Sequence, residues 1–169
     1  TPTTTHHRSD RERAVWAVLE GVPDPEIPVL SVVDLGIVRT VSFDAGNPEV
    51  SITPTYSGCP AMDVIEGDVL KALHTGGFPD ATVKRVRAPA WSTDWISAEG
   101  RRKLEEYGIA PPAQGSTDKR ALIGDTPAIR CPRCKSTDTR KVSEFGSTPC
   151  KAHYTCNDCL EPFDYFKCI

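Results

Sequence analysis

Apolar residues near the start of the chain recur with the spacing of a helix. The stretch lies between a candidate cap at Ser9 or Asp10 and a stop at Gly21. Its four apolar positions are Ala14, Val15, Val18 and Leu19. Steps of three and four residues place such side chains on one helical face. The pattern therefore predicts an opening helix whose apolar face is buried.

Apolar and polar residues then alternate over two stretches, residues 37–43 and 49–55. Between them, residues 44–48 read Asp-Ala-Gly-Asn-Pro, a composition typical of turns. Alternation with a period of two is expected of a half-buried strand. These residues predict a β-hairpin.

The next segment returns to the helical period, with Met62, Ile65, Val69 and Leu73 on one face. We expect a helix from Pro60 to His74 that ends at Gly76-Gly77, followed by a strand over residues 81–86. The resulting order, α-β-β-α-β, predicts a small two-layer domain of the α+β class.

Two further segments divide the chain. After Trp91 and Trp95, which are typical packing anchors but also candidate binding platforms, a short helix is expected over residues 97–107. Residues 111–127 have the composition of a linker. We therefore divide the chain into an α/β domain with a Trp-containing extension (10–110), a linker (111–127) and a C-terminal unit of short strands (128–169).

Composition excludes several classes of function. The chain has 169 residues and a formal net charge of −3, which gives no electrostatic footprint for nucleic acid. No apolar run approaches the roughly 20 residues that span a bilayer, and residues 1–8 lack the apolar core of a signal peptide. We expect a cytoplasmic protein with neither nucleic acid nor membrane as partner.

Four of the seven cysteines form two Cys-x-x-Cys pairs, and 21 residues separate the pairs. The four are Cys131, Cys134, Cys156 and Cys159. Such pairs are typical of a closed, structural tetrahedral zinc site, and the strand-like segments 138–144, 152–155 and 162–167 suit a zinc ribbon. An iron–sulfur cluster on the same thiolates is the alternative. Cys150 and Cys168 are left over, either as buried apolar residues or as second-site thiols.

Cys59 stands where a strand ends, after Gly58 and before Pro60. Pro60 suits the first position of a helix, so the thiol is expected at a helix N-terminus, where an anion is favoured. The position predicts a nucleophile or a metal ligand, although a merely buried cysteine is the plainer alternative.

Several carboxylates are candidates to orient Cys59 or to share a metal with it. They are Asp24, Glu26, Asp34 and Asp63. Asp24 and Asp34 are equally suited to capping turns, which is a common use of aspartate.

Three motifs together resemble the MIP18-like family, formerly a domain of unknown function (DUF59). They are Asp24-Pro-Glu-Ile-Pro28, Asp34-Leu-Gly-Ile-Val38 and Thr55-x-x-x-Cys59-Pro60, and the resemblance covers residues 12–90. With the Trp91–Trp95 segment and the four-cysteine ribbon, the whole chain is similar to the PaaD family of the phenylacetyl-CoA epoxidase system.

This resemblance implies an accessory or maturation protein without turnover of its own. It would assist iron–sulfur or iron-centre assembly in the multicomponent epoxidase of aerobic phenylacetate degradation. Cys59 would be the family's reactive cysteine, with Asp24, Glu26, Asp34 and Thr55 around it, and would hold iron or a cluster transiently. The implied partners are the oxygenase and reductase subunits, and a homodimer that shares ligands through Cys59 stays open.

Three other functions stay open at this point, of which a ribbon that binds nucleic acid is the least favoured because its positive charge is mild. A structural, non-catalytic subunit of the oxygenase would use the ribbon and the two tryptophans as a permanent interface. An independent enzyme would need a base for Cys59, for which His74 and His153 are the candidates.

Overall fold

The computed structural model describes residues 9–56, 58–112 and 128–167, which contain three helices and seven strands. The helices are α1 (Asp10–Glu20), α2 (Met62–Thr75) and α3 (Ala98–Tyr107). The strands are β1 (Val38–Asp44), β2 (Asn47–Ile52), β3 (Thr82–Arg85), β4 (Ile109–Ala110), β5 (Thr139–Ser143), β6 (Lys151–Cys156) and β7 (Pro162–Phe166). A short 3-10 turn, Thr93–Trp95, precedes α3.

The first sheet has the strand order β1-β2-β3. β1 and β2 form the predicted antiparallel hairpin, joined by Ala45 and Gly46, which both have positive φ values of 47° and 85°. This is the backbone of the two-residue turns that match the twist of a hairpin. β3 pairs in parallel with β2, and α2 provides the crossover between them. The predicted α-β-β-α-β order and the α+β class are confirmed.

One apolar core joins this sheet to the helices. The buried side chains of α1 and α2 pack with those of β2 in a single cluster, as their sequence spacing predicted. The members that belong to these three elements are Val15, Leu19, Val50, Ile52, Met62, Ile65, Val69 and Leu73.

Two predicted boundaries differ from the structure on either side of Cys59. β2 ends at Ile52 rather than at residue 55, because Pro54 has no N–H to continue a ladder. α2 begins at Met62 rather than at Pro60. The chain forms hydrogen-bonded turns first, in which the Cys59 N–H donates to the Tyr56 carbonyl (3.3 Å) and the Met62 N–H to the Cys59 carbonyl (3.4 Å). Cys59 therefore lies in the turn before the helix and not at the helix N-terminus, where the sequence predicted it, because the N-cap is Ala61.

The second sheet has the order β4-β7-β6-β5 and contains the three predicted ribbon strands. β4, which the sequence did not predict, comes from the residues after α3 and pairs in parallel with β7. The sheet of the ribbon therefore includes, at one edge, a strand that precedes the ribbon in the chain. Residues 113–127 of the predicted linker, and Cys168, lie outside the described residues.

The ribbon also packs on the first domain. Cys150 and Phe166 belong to the same apolar cluster as α1 and α2. The Trp91 ring centroid lies 6.1 Å from that of Phe166, and the Trp91 indole N–H donates to the Leu35 carbonyl at 2.8 Å. Trp91 is therefore an anchor between the two units. Within the described ranges, no helix is long and apolar enough to cross a membrane.

Candidate metal centre and the Cys59 cavity

The four predicted ribbon thiols meet at one point. All four Sγ atoms lie within 4.8 Å of one another, with 3.7 Å between Cys131 and Cys159 and 3.5 Å between Cys134 and Cys156. A tetrahedral zinc site with Zn–S bonds of about 2.3 Å requires sulfur–sulfur distances of about 3.8 Å. The donor set and its spacing therefore fit a four-thiolate metal ion.

Each Cys-x-x-Cys turn is closed by main-chain hydrogen bonds. The Cys131 N–H donates to the Ser136 carbonyl at 2.8 Å, and the Cys156 N–H donates to the Glu161 carbonyl at 2.9 Å. Main-chain N–H groups, first that of Cys159, lower the pKa of the Cys156 thiol to about 7. Of the two neighbouring thiols, Cys156 therefore ionises more readily than Cys134, whose pKa is raised.

Cys59 lines a cavity of about 370 Å³. Gly58, which also lines the cavity, has a φ of 76°, a left-handed conformation that glycine adopts without steric cost. Thr55 lines the same cavity. The other side chains that form the wall include Tyr56, Met62, Arg87 and Trp91.

Tyr56 brings a buried polar atom to this cavity. Its hydroxyl has no hydrogen-bond partner of normal geometry among the described residues, although the Cys59 thiol lies close to it. Burial first, and then Cys59, Glu26 and Cys150 nearby, raise the pKa of Tyr56. The phenol is therefore neutral and has a hydrogen bond to donate.

Asp24 and Glu26 have different tasks in the proline-rich loop. The Asp24 carboxylate accepts from the N–H groups of Glu26 (2.9 Å) and Ile27 (2.8 Å), which fixes the loop. Burial raises the pKa of Asp24, although these two hydrogen bonds oppose the effect. Glu26 extends instead towards the ribbon, where its Oε2 lies 3.5 Å from the Cys150 Sγ.

Cys150 is a buried thiol that the sequence left without a role. Its Sγ also lies 3.0 Å from the Thr148 hydroxyl, and burial, with Glu26 beside it, raises its pKa to about 11. The only signal in the sequence was that Cys150 lies outside the two cysteine pairs. Its approach to Glu26 depends on how the ribbon packs.

Asp34 connects its loop to α3. It accepts from the Ser31 N–H at 3.1 Å and from the Lys103 ammonium at 2.7 Å, and the Ser97 hydroxyl lies 3.3 Å away. Burial raises the pKa of Asp34, but the hydrogen bonds from Lys103 and Ser31 outweigh it, so this pKa lies below the ordinary value. Asp63 forms an exposed ion pair with Arg85.

The two candidate bases have partners of their own. The Nε2 of His74 lies 3.4 Å from the Ala81 carbonyl, and the Nδ1 of His153 lies 3.3 Å from an oxygen of Asp164. His153 lines a second cavity, of about 520 Å³, which Glu26 also lines. Cys59 lines the cavity of about 370 Å³ that also contains Tyr56 and Trp91.

Comparison with known proteins gives a separate match for each part of the chain. Residues 12–87 match the family described as "Iron-sulfur cluster assembly protein", and residues 115–167 match the "PaaD zinc beta ribbon domain". A crystal structure of a DUF59 domain from Bacillus anthracis is similar, with a TM-score of 0.51 and 35% identity, and the match covers 55% of this chain and 90% of that one.

Relatives of known name extend the match to most of the chain. A protein of Porphyromonas gingivalis named "Fe-S protein maturation auxiliary factor" is 36% identical over 55% of this chain and 90% of its own length. A protein of Escherichia coli K12, named as a subunit of a "Putative 1,2-phenylacetyl-CoA epoxidase", is 50% identical over 92% of both chains. The chain therefore belongs to the PaaD family of phenylacetyl-CoA epoxidase subunits, in which a DUF59 domain is followed by a zinc ribbon.

Proposed function

We propose that this protein assists the assembly of the iron or iron–sulfur centres of a phenylacetyl-CoA epoxidase, and that Cys59 holds the iron cargo transiently. The observation that carries the proposal is the thiol of Cys59 at the wall of a cavity, within the residues that match the iron–sulfur assembly family. The protein has no turnover of its own in this proposal.

The environment of Cys59 suits the transfer of iron cargo better than its permanent storage. A closed four-thiolate cage, like that of the ribbon, holds an ion with no open position. The Cys59 thiol instead faces an open cavity, so a cargo bound there keeps positions that an acceptor's ligands can occupy. Thiolate sulfur is a ligand that iron and iron–sulfur clusters accept.

We assign a different role to the ribbon, in which Zn²⁺ is a structural ion on Cys131, Cys134, Cys156 and Cys159. The short sulfur–sulfur distances support this assignment. A unit of this size depends on its metal for much of its stability. The ribbon then remains folded while cargo at Cys59 is exchanged.

The proposed clients are the oxygenase and reductase subunits of the epoxidase. This follows from the name of the Escherichia coli relative, which calls it a subunit of that enzyme. We also propose that the protein acts in the cytoplasm.

A structural subunit of the same complex is the second candidate function. The observation in its favour is a set of large apolar side chains that are more than half exposed, of which Tyr107, Phe145 and Leu160 are the most exposed. Aromatic side chains of this kind are enriched at protein–protein interfaces. A permanent subunit would need these residues but not Cys59.

The test is anaerobic reconstitution of the full-length protein with iron and sulfide, followed by iron and zinc analysis. We expect Cys59→Ser to lose iron and keep zinc, whereas Cys134→Ser, the matched control in the ribbon, loses zinc. The purified variants are then combined with epoxidase subunits that were produced without this protein. Client iron content and epoxidation should rise with the wild type and not with Cys59→Ser.

Either of two results would contradict the maturation role. In the first, the wild type takes up no iron. In the second, Cys59→Ser restores client iron as well as the wild type does, which is the result expected of a structural subunit.

A further inference from the structure

The cavity beside Cys59 is lined by cationic and hydrogen-bond-donating side chains. Arg85 and Arg87 bring guanidinium groups to its wall, and Tyr56 brings a phenol. No Asp or Glu belongs to this wall among the described residues. A wall of this composition favours a negatively charged group over a neutral one. The cavity therefore suits a ligand with an anionic group.

The two arginines of the wall differ in what they already bind. Arg85 donates to Glu66 at 2.6 Å and also to Asp63, so carboxylates of this chain occupy its guanidinium. Arg87 is exposed, and it has no ion pair or hydrogen bond to another described residue. A guanidinium matches a carboxylate well, because its planar fork donates two parallel hydrogen bonds to the two oxygens. Arg87 is therefore the cation of this cavity that is available to a ligand.

Tyr56 provides a second, buried donor in the same cavity. Its hydroxyl is buried and has no hydrogen-bond partner of normal geometry among the described residues. Burial raises the pKa of this phenol, so it keeps its proton and can donate. Buried hydroxyls are rarely left unpaired in proteins. An oxygen carried into the cavity by a ligand would give this hydroxyl an acceptor.

The arginines also lie at the edge of the first sheet. Arg85 is the last residue of β3, and Arg87 follows two positions later. β3 pairs with β2 on one side, and no strand of the described residues pairs on its other side. Free strand edges bind extended peptide segments through main-chain hydrogen bonds. A protein segment that approaches along β3 can therefore direct a side chain into the cavity.

We propose that the Cys59 cavity receives an Asp or Glu side chain from an acidic segment of the client protein, and that Arg87 and Tyr56 bind its carboxylate. The inference rests on the proposed function, in which a client collects its iron at Cys59, and it adds how the client is recognised. Docking there places the client beside the thiol that carries its cargo.

The first test measures client binding in the absence of iron. Each purified epoxidase subunit is titrated into the full-length, zinc-loaded protein in a calorimeter. We expect Arg87→Gln to bind its client about tenfold more weakly, as is typical when a charge-assisted hydrogen bond is lost. Lys84→Gln is the matched control, because it removes the same charge from β3 but not from the cavity wall, and it should match the wild type.

Tyr56→Phe separates an effect on binding from an effect on folding. The variant loses a hydroxyl that has no partner of normal geometry, so the unfolding temperature of the free protein should stay the same or rise. Client binding should nevertheless weaken about threefold, because the bound carboxylate loses one hydrogen bond. A lower unfolding temperature together with unchanged client binding would overturn the role assigned to Tyr56.

A zero-length cross-link identifies the group that the client inserts. Arg87→Lys replaces the guanidinium by an amine, which a carbodiimide joins to a touching carboxylate as an amide, while the carbodiimide takes up the water that is lost. Peptide mapping should find position 87 joined to an Asp or Glu of a client subunit, and should find no link from Lys84 to the client. The absence of a client carboxylate at position 87 would overturn the docking site.

The outcomes separate this inference from the proposed function. If Arg87→Gln binds the clients as well as the wild type does, while Cys59→Ser fails to restore client iron, the docking site is wrong and the proposed function stands. If the wild type takes up no iron but Arg87→Gln still binds its client more weakly, the proposed function fails and the docking site stands. If no epoxidase subunit binds the wild type, the docking site is wrong.

Discussion

At the scale of single residues, Asp34 shows how a carboxylate from a functional-looking motif can serve the fold. Its partners lie in its own loop and in α3, where Lys103 is its ion-pair partner. The Asp34 side chain is only 11% exposed, so these contacts are poorly screened by solvent. Its carboxylate therefore stabilises the junction between the loop and α3.

We predict that Asp34→Asn lowers the free energy of unfolding at pH 7 by about 1–3 kcal/mol. The folded-state pKa of Asp34 lies below the ordinary value of 3.8. The carboxylate's contribution is therefore complete above pH 3.8 and is lost as the pH falls through the folded-state pKa. Urea unfolding of both proteins between pH 7 and pH 3 checks this.

The control for this prediction is Asp63→Asn, since the Asp63 side chain is 86% exposed beside Arg85. Asp63→Asn should lower the free energy of unfolding much less than Asp34→Asn does. The difference in free energy of unfolding between wild type and Asp34→Asn should shrink as the pH falls below the folded-state pKa of Asp34. If this difference stays constant, the assigned role is contradicted.

At the scale of elements, the two metal-binding turns share a backbone feature. The residue after each Cys-x-x-Cys pair has a positive φ, 67° at Lys135 and 62° at Leu160. For residues other than glycine this conformation costs about 1–2 kcal/mol. The closed turns impose this backbone in order to direct four thiols at one ion.

We predict that Leu160→Gly stabilises the ribbon by roughly 0.5–1 kcal/mol, because it removes the steric cost at this φ, less the entropy of the freer unfolded chain. Leu160 is 73% exposed, so little packing is lost. Leu160→Ala is the matched control, since it removes the same side chain but keeps Cβ, and it should give no gain. Thermal unfolding and chelator competition measure the stability of the ribbon in both variants. Equal stability of Leu160→Gly and Leu160→Ala would contradict the explanation.

At the scale of the whole molecule, the ribbon and the first domain share structure. β4 pairs with β7, Phe166 packs on Trp91, and Lys135 forms an ion pair with Glu105. A side chain of the ribbon is thereby part of the core of the other unit. We expect the two units to unfold together.

We predict that Phe166→Ala lowers the free energy of unfolding by about 3–5 kcal/mol, as is typical when a buried phenylalanine is truncated. Phe166 is 2% exposed, whereas Phe145, in the same ribbon, is 65% exposed and serves as the matched control. Phe145→Ala should cost less than about 1 kcal/mol. Denaturant unfolding followed by tryptophan fluorescence measures both. A small cost for Phe166→Ala would show that the ribbon does not stabilise the first domain.

Much of the local structure follows from the sequence alone. The spacing of apolar residues predicts α1, α2 and the hairpin, because each element buries one face and its period records that face. The paired cysteines predict a shared metal site, because two short turns with thiols at fixed spacing can direct four sulfurs at one ion. The boundaries beside Cys59 were less well predicted, since Pro54 and Pro60 act through turns whose hydrogen bonds depend on neighbouring residues.

Only the tertiary structure decided which of these features meet. Glu26 and Cys150 are 124 positions apart, and no local pattern records that their side chains come within 3.5 Å. The short pairing of β4 with β7 and the contact of Trp91 with Phe166 likewise involve residues that are distant in the chain. Such contacts depend on how two cores pack, so periodicity and turn chemistry, which act over a few residues, do not specify them.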